Sequence, residues 1–317
     1  MNPLQKIGTF GAAVAVCFAA AYGVGTAVSP INADPEPAAH QEGHTTGATA
    51  EATAADTTPG GLQISQDGYT LDLATRQVAA GDPTELRLTI RDANGRPVTE
   101  FAREHEKELH LIVASRDLTE FRHLHPVRAA DGTWSTPATL SEPGGYRVFA
   151  DFRPAAEKEG LTLGADLAVS GAYEPAALPP AAATATVDGY EVTLTGTLAA
   201  GAQSELTFTV TRDGKPVTDL EPYLGAYGHL VALRSGDLAY LHVHPHDEAS
   251  GDALSGSPDV TFTAAAPSTG DYRLFLDFKA DGEVHTAAFT VSAGERPAGE
   301  PSGQPSGDTG EEAPHGH

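Results

Sequence analysis

The sequence predicts an all-β chain of two tandem antiparallel β-sandwiches. Three observations carry this. Apolar residues fall on every second position in Thr84–Ile90 (Thr-Glu-Leu-Arg-Leu-Thr-Ile) and again in Ser204–Val210 (Ser-Glu-Leu-Thr-Phe-Thr-Val), the period of a strand with one buried face. Asn94-Gly95 and Asp213-Gly214 follow these runs at matching places, and such pairs are hairpin turns. The same order of segments then occurs twice, which marks an internal repeat. No stretch between the tails has a 3.6-residue period of helical length, so helical classes are set aside.

In chain order, residues 7–28 are uncharged and follow Lys6. At about 1.5 Å per residue such a run can span a bilayer, with the lysine inside and the rest of the chain outside. Residues 1–28 are therefore expected to be a signal anchor or signal peptide. Thr26-Ala27-Val28-Ser29 is a weak cleavage match, which favours an uncleaved anchor. Val16 before Cys17 departs from a lipoprotein signal. Residues 29–61 are rich in Ala, Thr, Glu, Pro and Gly without periodicity and are expected to be a disordered linker.

The first sandwich is assigned to 62–175 and the second to 184–293, joined by a Pro/Ala linker at 176–183; an acidic disordered tail, 294–317, ends the chain. Asp67-Gly-Tyr69 opens the first repeat and Asp188-Gly-Tyr190 the second. Late in each, Gly145-Tyr-Arg-Val-Phe-Ala-Asp151 matches Asp271-Tyr-Arg-Leu-Phe-Leu-Asp277. A Gly-x-Tyr entering a late strand is an Ig-like feature. Along the first of these strands Tyr146, Val148 and Ala150 share the face expected to be core, and Arg147, Phe149 and Asp151 share the other.

Composition narrows the chemistry. A net charge of −24 argues against nucleic acid and against electrostatic binding to anionic lipid. The one cysteine and one methionine, Cys17 and Met1, exclude an intrachain disulfide, a thiolate site, a blue-copper centre and a Met-rich Cu(I) site. A metal site here must use imidazole and carboxylate, which suits Cu(II), Zn(II) or Ni(II).

Histidines in a duplicated pattern supply those groups. His110, twelve residues, then His123-x-His125-Pro126 recurs as His229, twelve residues, then His242-x-His244-Pro245, with Phe121 and Tyr240 two places before each pair. On a strand the two histidines of His-x-His point the same way, roughly 6.5–7 Å apart at Cα. The lone histidine on a neighbouring strand can complete three nitrogen ligands. A single strand histidine is ordinarily a polar-face residue; the duplicated spacing is what favours a metal. One site per domain is expected: His110, His123 and His125 with Asp151, and His229, His242 and His244 with Asp277. The aspartates are either ligands or partners that orient an imidazole. His105, His246 and His285 are further candidates, each equally readable as a surface histidine.

Other motifs are weaker. His105-Glu-Lys-Glu-Leu-His110 has the wrong spacing for a zincin. Gly236, His242, His244 and Glu248 match a first cupin metal motif, but the first repeat lacks the Gly and the Glu. No nucleophile triad or phosphate-cradling loop is present, and Trp134 is expected to pack beside a turn.

The paired His-Leu-x-Val…Phe/Tyr-x-His-x-His-Pro modules with Tyr-Arg-x-Phe-x-Asp-Phe resemble exported bacterial heavy-metal-associated proteins with tandem YtkA-like or cupredoxin-like β-sandwich domains. The likeness covers roughly 62–293. It implies an extracytoplasmic copper or related metal-binding protein, with the histidines above as its ligands.

The leading expectation is a membrane-tethered, non-enzymatic binder of Cu(II) or Zn(II), one ion per domain, acting in buffering, scavenging or delivery to a membrane transporter. The alternative is a structural or interaction module whose His-x-His-Pro strands form a packed inter-domain or partner surface. A metalloenzyme with an open metal position ranks last, because no clear general base is evident.

Overall fold

The computed structural model describes residues 58–241, 243–245 and 257–295. The segment expected to be an N-terminal helix, most of the two expected disordered tails, His242 and His246 lie outside the described residues. Among the described residues every regular element is a strand, and no helix is long and apolar enough to cross a membrane.

The first sandwich contains β1 (Ser65–Gln66), β2 (Tyr69–Leu73), β3 (Gln77–Ala79), β4 (Thr84–Arg91), β5 (Phe101–Ala102), β6 (Leu109–Ser115), β7 (Phe121–Leu124), β8 (Val127–Arg128), β9 (Thr133–Ala138), β10 (Gly144–Pro154) and β11 (Leu161–Ser170). One sheet has the order β1-β2-β4-β9-β8. The other runs β3-β11-β10-β6-β7, with β5 also on β10. All pairs are antiparallel except β3 on β11. The second sandwich contains β12 (Thr184–Val187), β13 (Tyr190–Thr195), β14 (Gln203–Arg212), β15 (Lys215–Pro216), β16 (Gly228–Arg234), β17 (Val243–Pro245), β18 (Asp259–Ala265), β19 (Gly270–Ala280) and β20 (Glu283–Ala293). Its sheets are β12-β13-β14-β18-β17, with β15 on β14, and β16-β19-β20.

Local chemistry explains the elements. Asp67-Gly68, Asp188-Gly189 and Asp281-Gly282 all have positive φ and turn β1 into β2, β12 into β13 and β19 into β20, as two-residue hairpins require. The alternating run of β4 puts Leu86, Leu88 and Ile90 inward, all fully buried. They meet Leu111, Val113, Val148 and Leu163 of the facing sheet in the first core. Trp134 joins that core, edge-on to Phe101 at 5.3 Å. The Tyr146 hydroxyl donates to the Glu142 carbonyl at 2.7 Å and the Tyr272 hydroxyl to that of Ser268 at 2.8 Å, so both repeats carry a tyrosine corner.

Four strands are buried on both faces. In β6, Leu109, Leu111 and Val113 enter the first core, while Ile112 and Ala114 enter a third cluster that the two sandwiches build together. In β16, Leu230 and Ala232 face the second core and Val231 and Leu233 the shared cluster. Phe149 of β10 and Phe275 of β19 complete the shared cluster with Leu118 and Leu238. The packing is reciprocal. Phe121 of the first sandwich stacks on Phe275 of the second at 4.0 Å and 8°, and Tyr240 of the second lies 5.7 Å from Phe149 of the first. The face expected to carry Arg147, Phe149 and Asp151 does so, but it meets the sister domain rather than solvent.

Part of the expected disordered linker is ordered. Gly60 accepts from the Tyr240 amide at 2.9 Å, and Arg147 reaches the carbonyls of Gly61 and Leu62 at 2.7 and 2.9 Å. Gly164 permits this approach, because a Cβ there would stand 2.0 Å from the Gly61 oxygen.

Phe275→Ala should lower the unfolding free energy by about 3–5 kcal/mol, the usual cost of emptying a buried Phe site. Urea denaturation of the variant checks this. A loss under about 1 kcal/mol would mean that the shared cluster does not behave as a core.

Candidate metal centre between the sandwiches

Just beyond the shared apolar cluster, the same strand faces carry histidines. Register sets this: His110 lies opposite Asp151 on the β6–β10 ladder, and His229 opposite Asp277 on the β16–β19 ladder. His123 of β7 lies opposite Ile112. Because the two outer faces pack together, His110, His123 and His229 converge, one nitrogen of each within 4.8 Å of the others. The His110 and His229 rings stack at 5.2 Å and 11°, and His123 is 4.6 Å from His229. His125 adds a fourth ring, 4.7 Å from His123 and 5.2 Å from His110, with Tyr223 6.2 Å away on its other side.

Among the described residues the histidines that meet come from both domains, where the spacing gave one set in each. His229 belongs to the same group as His110 and His123, and Asp277 serves a histidine of the other domain. The reason is tertiary: His110 of β6 and His229 of β16 sit on the faces that the two sandwiches bury against each other. The expected packed inter-domain surface of His-x-His strands is present for the first copy. In the second, His244 sits in β17 opposite Thr263, its side chain outside the described residues. His285 is not in the group. Its Nδ1 faces Asp188 Oδ2 at 2.9 Å, and its ring packs on Tyr190 and Phe278 in the second core. Asp151 takes the hydroxyl of Thr162 at 3.2 Å, and Tyr240 lies beside it.

The proton positions follow from the partners. His110 Nε2 is 3.1 Å from the Glu104 carbonyl, which only accepts, so this nitrogen carries hydrogen. His123 Nδ1 donates to Asp277 Oδ2 at 2.7 Å, while the other carboxylate oxygen takes the Thr286 hydroxyl at 2.6 Å. In their neutral forms both rings therefore present a lone pair from the remaining nitrogen. Those nitrogens, His110 Nδ1 and His123 Nε2, face each other at 3.1 Å. Two lone pairs at that distance repel, so either a proton or a metal ion stands between them. His125 Nε2 and His229 Nδ1 are also buried without a hydrogen-bond partner. Buried polar atoms are ordinarily paired.

Burial, then the nearby His123, pushes His110 down to about 3 and His125 likewise to about 3. His229 is held well below its usual value by burial and by the surrounding imidazoles. Burial pushes Asp151 up to about 6 and Tyr223 up to about 12, and raises Tyr240 well above its usual value. Burial thus favours the neutral form of His110, His125 and His229, the form that binds metal. A cavity of about 930 Å³ opens beside it, lined by His105, His110 and His229 with Glu104, Lys107 and Glu108 among others.

Tyr223, Thr286 and the Glu104 carbonyl were not legible as site groups in the sequence. A carbonyl leaves no sequence signal, and Tyr223 lies outside the duplicated motif. Tyr240 carried a signal, as the aromatic two places before the His-x-His pair.

A model of the domain of unknown function DUF8832 matches residues 64–168 and again 185–295. The match is to a domain of unknown function and shows neither a copper-protein nor a YtkA-like family. No curated protein matches the chain. Among solved structures, the Escherichia coli adhesin FdeC is 19% identical with a TM-score of 0.25, covering 73% of this chain and 65% of its own. Yersinia pseudotuberculosis InvD is 15% identical with a TM-score of 0.25, covering 75% of this chain and 62% of its own. The chain thus spans less than two thirds of either, and likenesses of this size bear on neither ligand nor partner.

Metal-free protein should lose stability as pH falls from about 6.5 toward about 4. A histidine whose folded pKa lies below its unfolded value contributes stability fully only above the unfolded pKa. For buried His110 the slope is roughly 1.4 kcal/mol per pH unit. His125 and His229 act in the same direction. Asp151, raised, acts in the opposite direction between about 6 and its ordinary value, but alone. Urea midpoints at pH 7.5 and pH 5 test this, and equal midpoints would contradict it.

Proposed function

This chain belongs to the DUF8832 family, carrying the domain twice, and we propose that the pair of domains forms one histidine site for a divalent transition-metal ion, Cu(II) or Zn(II). The observation that carries the reading is the convergence of His110, His123 and His229, with His110 Nδ1 and His123 Nε2 3.1 Å apart. Two nitrogens on one tetrahedral ion, with bonds of ~2.0–2.1 Å, stand about 3.3 Å apart. The distal nitrogen of each ring is held by an acceptor, Glu104 or Asp277, and this arrangement fixes the tautomer and orientation of metal-bound imidazoles. His229 supplies the third nitrogen from the second sandwich, so the ion would tie the two domains together.

The protein acts in this reading as a binder rather than an enzyme. Exported and held at the membrane by its N-terminal apolar segment, it buffers, scavenges or hands on the ion, with a membrane transporter as the partner class.

A second reading has its own support. The shared cluster of Ile112, Ala114, Phe149, Val231, Leu233 and Phe275 joins the sandwiches without any ion, and the His123–Asp277 hydrogen bond crosses the same boundary. On that reading the histidines are the polar margin of a structural module.

Calorimetric titration of the full chain with Cu(II) and with Zn(II) separates the two. One tight ion per chain is expected, lost in His110→Ala and in His229→Ala alike although these lie in different domains. Binding no tighter than about millimolar, or loss of half the capacity in each variant, would refute the shared site. Asp277→Asn should weaken binding by about ten- to a hundredfold, because the carboxylate orients His123; unchanged affinity would remove Asp277 from the site.

A further inference from the structure

The three converging nitrogens leave a fourth position open in a tetrahedral site, and two further imidazoles border the group: His125, beside His123 and His110, and His105, beside His229 and His110 on the cavity side. His105 lies at the tip of the turn Glu104–Lys107, whose ends pair with each other across it. Its ring is 5.5 Å from that of His229 and 6.1 Å from that of His110. Imidazoles that share one tetrahedral ion through bonds of ~2.0–2.1 Å have ring centres about 5 Å apart. His105 is exposed and lines the cavity that opens on the group. It stands outside the set of nitrogens that already meet.

The backbone beneath it is unusual. His105 and Glu106 have φ of 47° and 64°, and such turns ordinarily carry Asn-Gly or Asp-Gly. Two consecutive non-glycine residues in this region cost free energy. The second repeat builds the same turn between Tyr223 and Ala226, with Leu224 and Gly225 at φ of 57° and 77°. There the first tip residue, Leu224, is buried, and the second is the glycine that the conformation favours. The first repeat thus carries an exposed imidazole where the second has buried packing. On the same side of the group, His229 Nδ1 is buried without a partner.

We infer that His105 is the fourth ligand, an exchangeable imidazole that closes over the ion bound by His110, His123 and His229 and passes it to and from the cavity. This rests on the reading of those three as a metal site. The buried trio supplies affinity and fixed geometry. His105 is the most exposed of the four, so exchange with an acceptor begins by its release.

The test uses the full chain with one equivalent of Cu(II), comparing the natural protein with His105→Asn, which tolerates the left-handed turn, and His105→Gly. Pulsed EPR or X-ray absorption counts the coordinated imidazoles, and a competing chelator gives affinity and release rate. Four imidazoles are expected in the natural protein and three in both variants. Affinity should fall by at least the about ten- to hundredfold that loss of an orienting partner costs, with faster release to the chelator. The thermal midpoint of the metal-free variants should not fall, because the side chain is exposed and Asn and Gly suit the left-handed turn. Tight binding with the same imidazole count and release rate in all three proteins would overturn the role of His105 and leave the trio standing. Absence of Cu(II) from the natural protein would overturn both.

Discussion

The structure depends on the burial of two strand faces against each other. In each sandwich the sheet that carries the histidines has one face in its own core and the other against the sister domain. Ile112, Ala114 and Phe149 from one side meet Val231, Leu233 and Phe275 from the other. An isolated sandwich would present these residues to water, an apolar patch of the kind that marks an interaction surface. Packed together they form a third core, continuous with the histidine group at its margin. The position of every imidazole in that group follows from this packing.

Burying imidazoles beside an apolar cluster has a cost, which shows in the site's electrostatics. Desolvation drives His110 and His125 toward the neutral form, and each ring disfavours a proton on its neighbours. What offsets the cost in part is a set of fixed acceptors. The Glu104 carbonyl holds one ring and Asp277, itself held by Thr286, holds another. Those bonds use the outer nitrogens and leave the inner ones facing each other. A polar group in which some members are bonded and others, such as His229 Nδ1, have no partner is an unfavourable arrangement. That imbalance, rather than the number of histidines, is what a bound cation would relieve.

The two copies are alike in framework and unlike in detail. Both have the tyrosine corner, the turn before the histidine strand and an aspartate opposite its histidine. Yet Asp277 bonds to His123 across the boundary, while Asp151 faces Thr162 and Tyr240. The turn tips differ too, exposed His105 against buried Leu224. Duplication followed by such divergence gives one shared centre with distinguishable sides, one of them bordering the cavity.

The alternation of Leu86, Leu88 and Ile90, the Asp-Gly turns and the late Tyr strands were enough to establish a tandem β-sandwich architecture. Those signals are local: a strand's period and a hairpin's φ angles depend on neighbours in sequence. The spacing of His110 and His123 likewise placed them on neighbouring strands of one sheet, although His125 lies just past the end of β7, and the face carrying Asp151 was legible from alternation alone. The sequence could not say what covers that face. A run such as His110-Leu-Ile-Val-Ala reads the same whether its second face meets solvent, a partner or the other repeat, because burial on both faces removes the alternation that would tell them apart. Only the packing of the two sandwiches decided that His229 joins His110 and His123 and that Asp277 orients a histidine of the other domain. It also decided that His285, an equal candidate by composition, faces Asp188 in the second core. Ligand geometry is a relation between residues far apart in the chain, and it is settled where their faces meet.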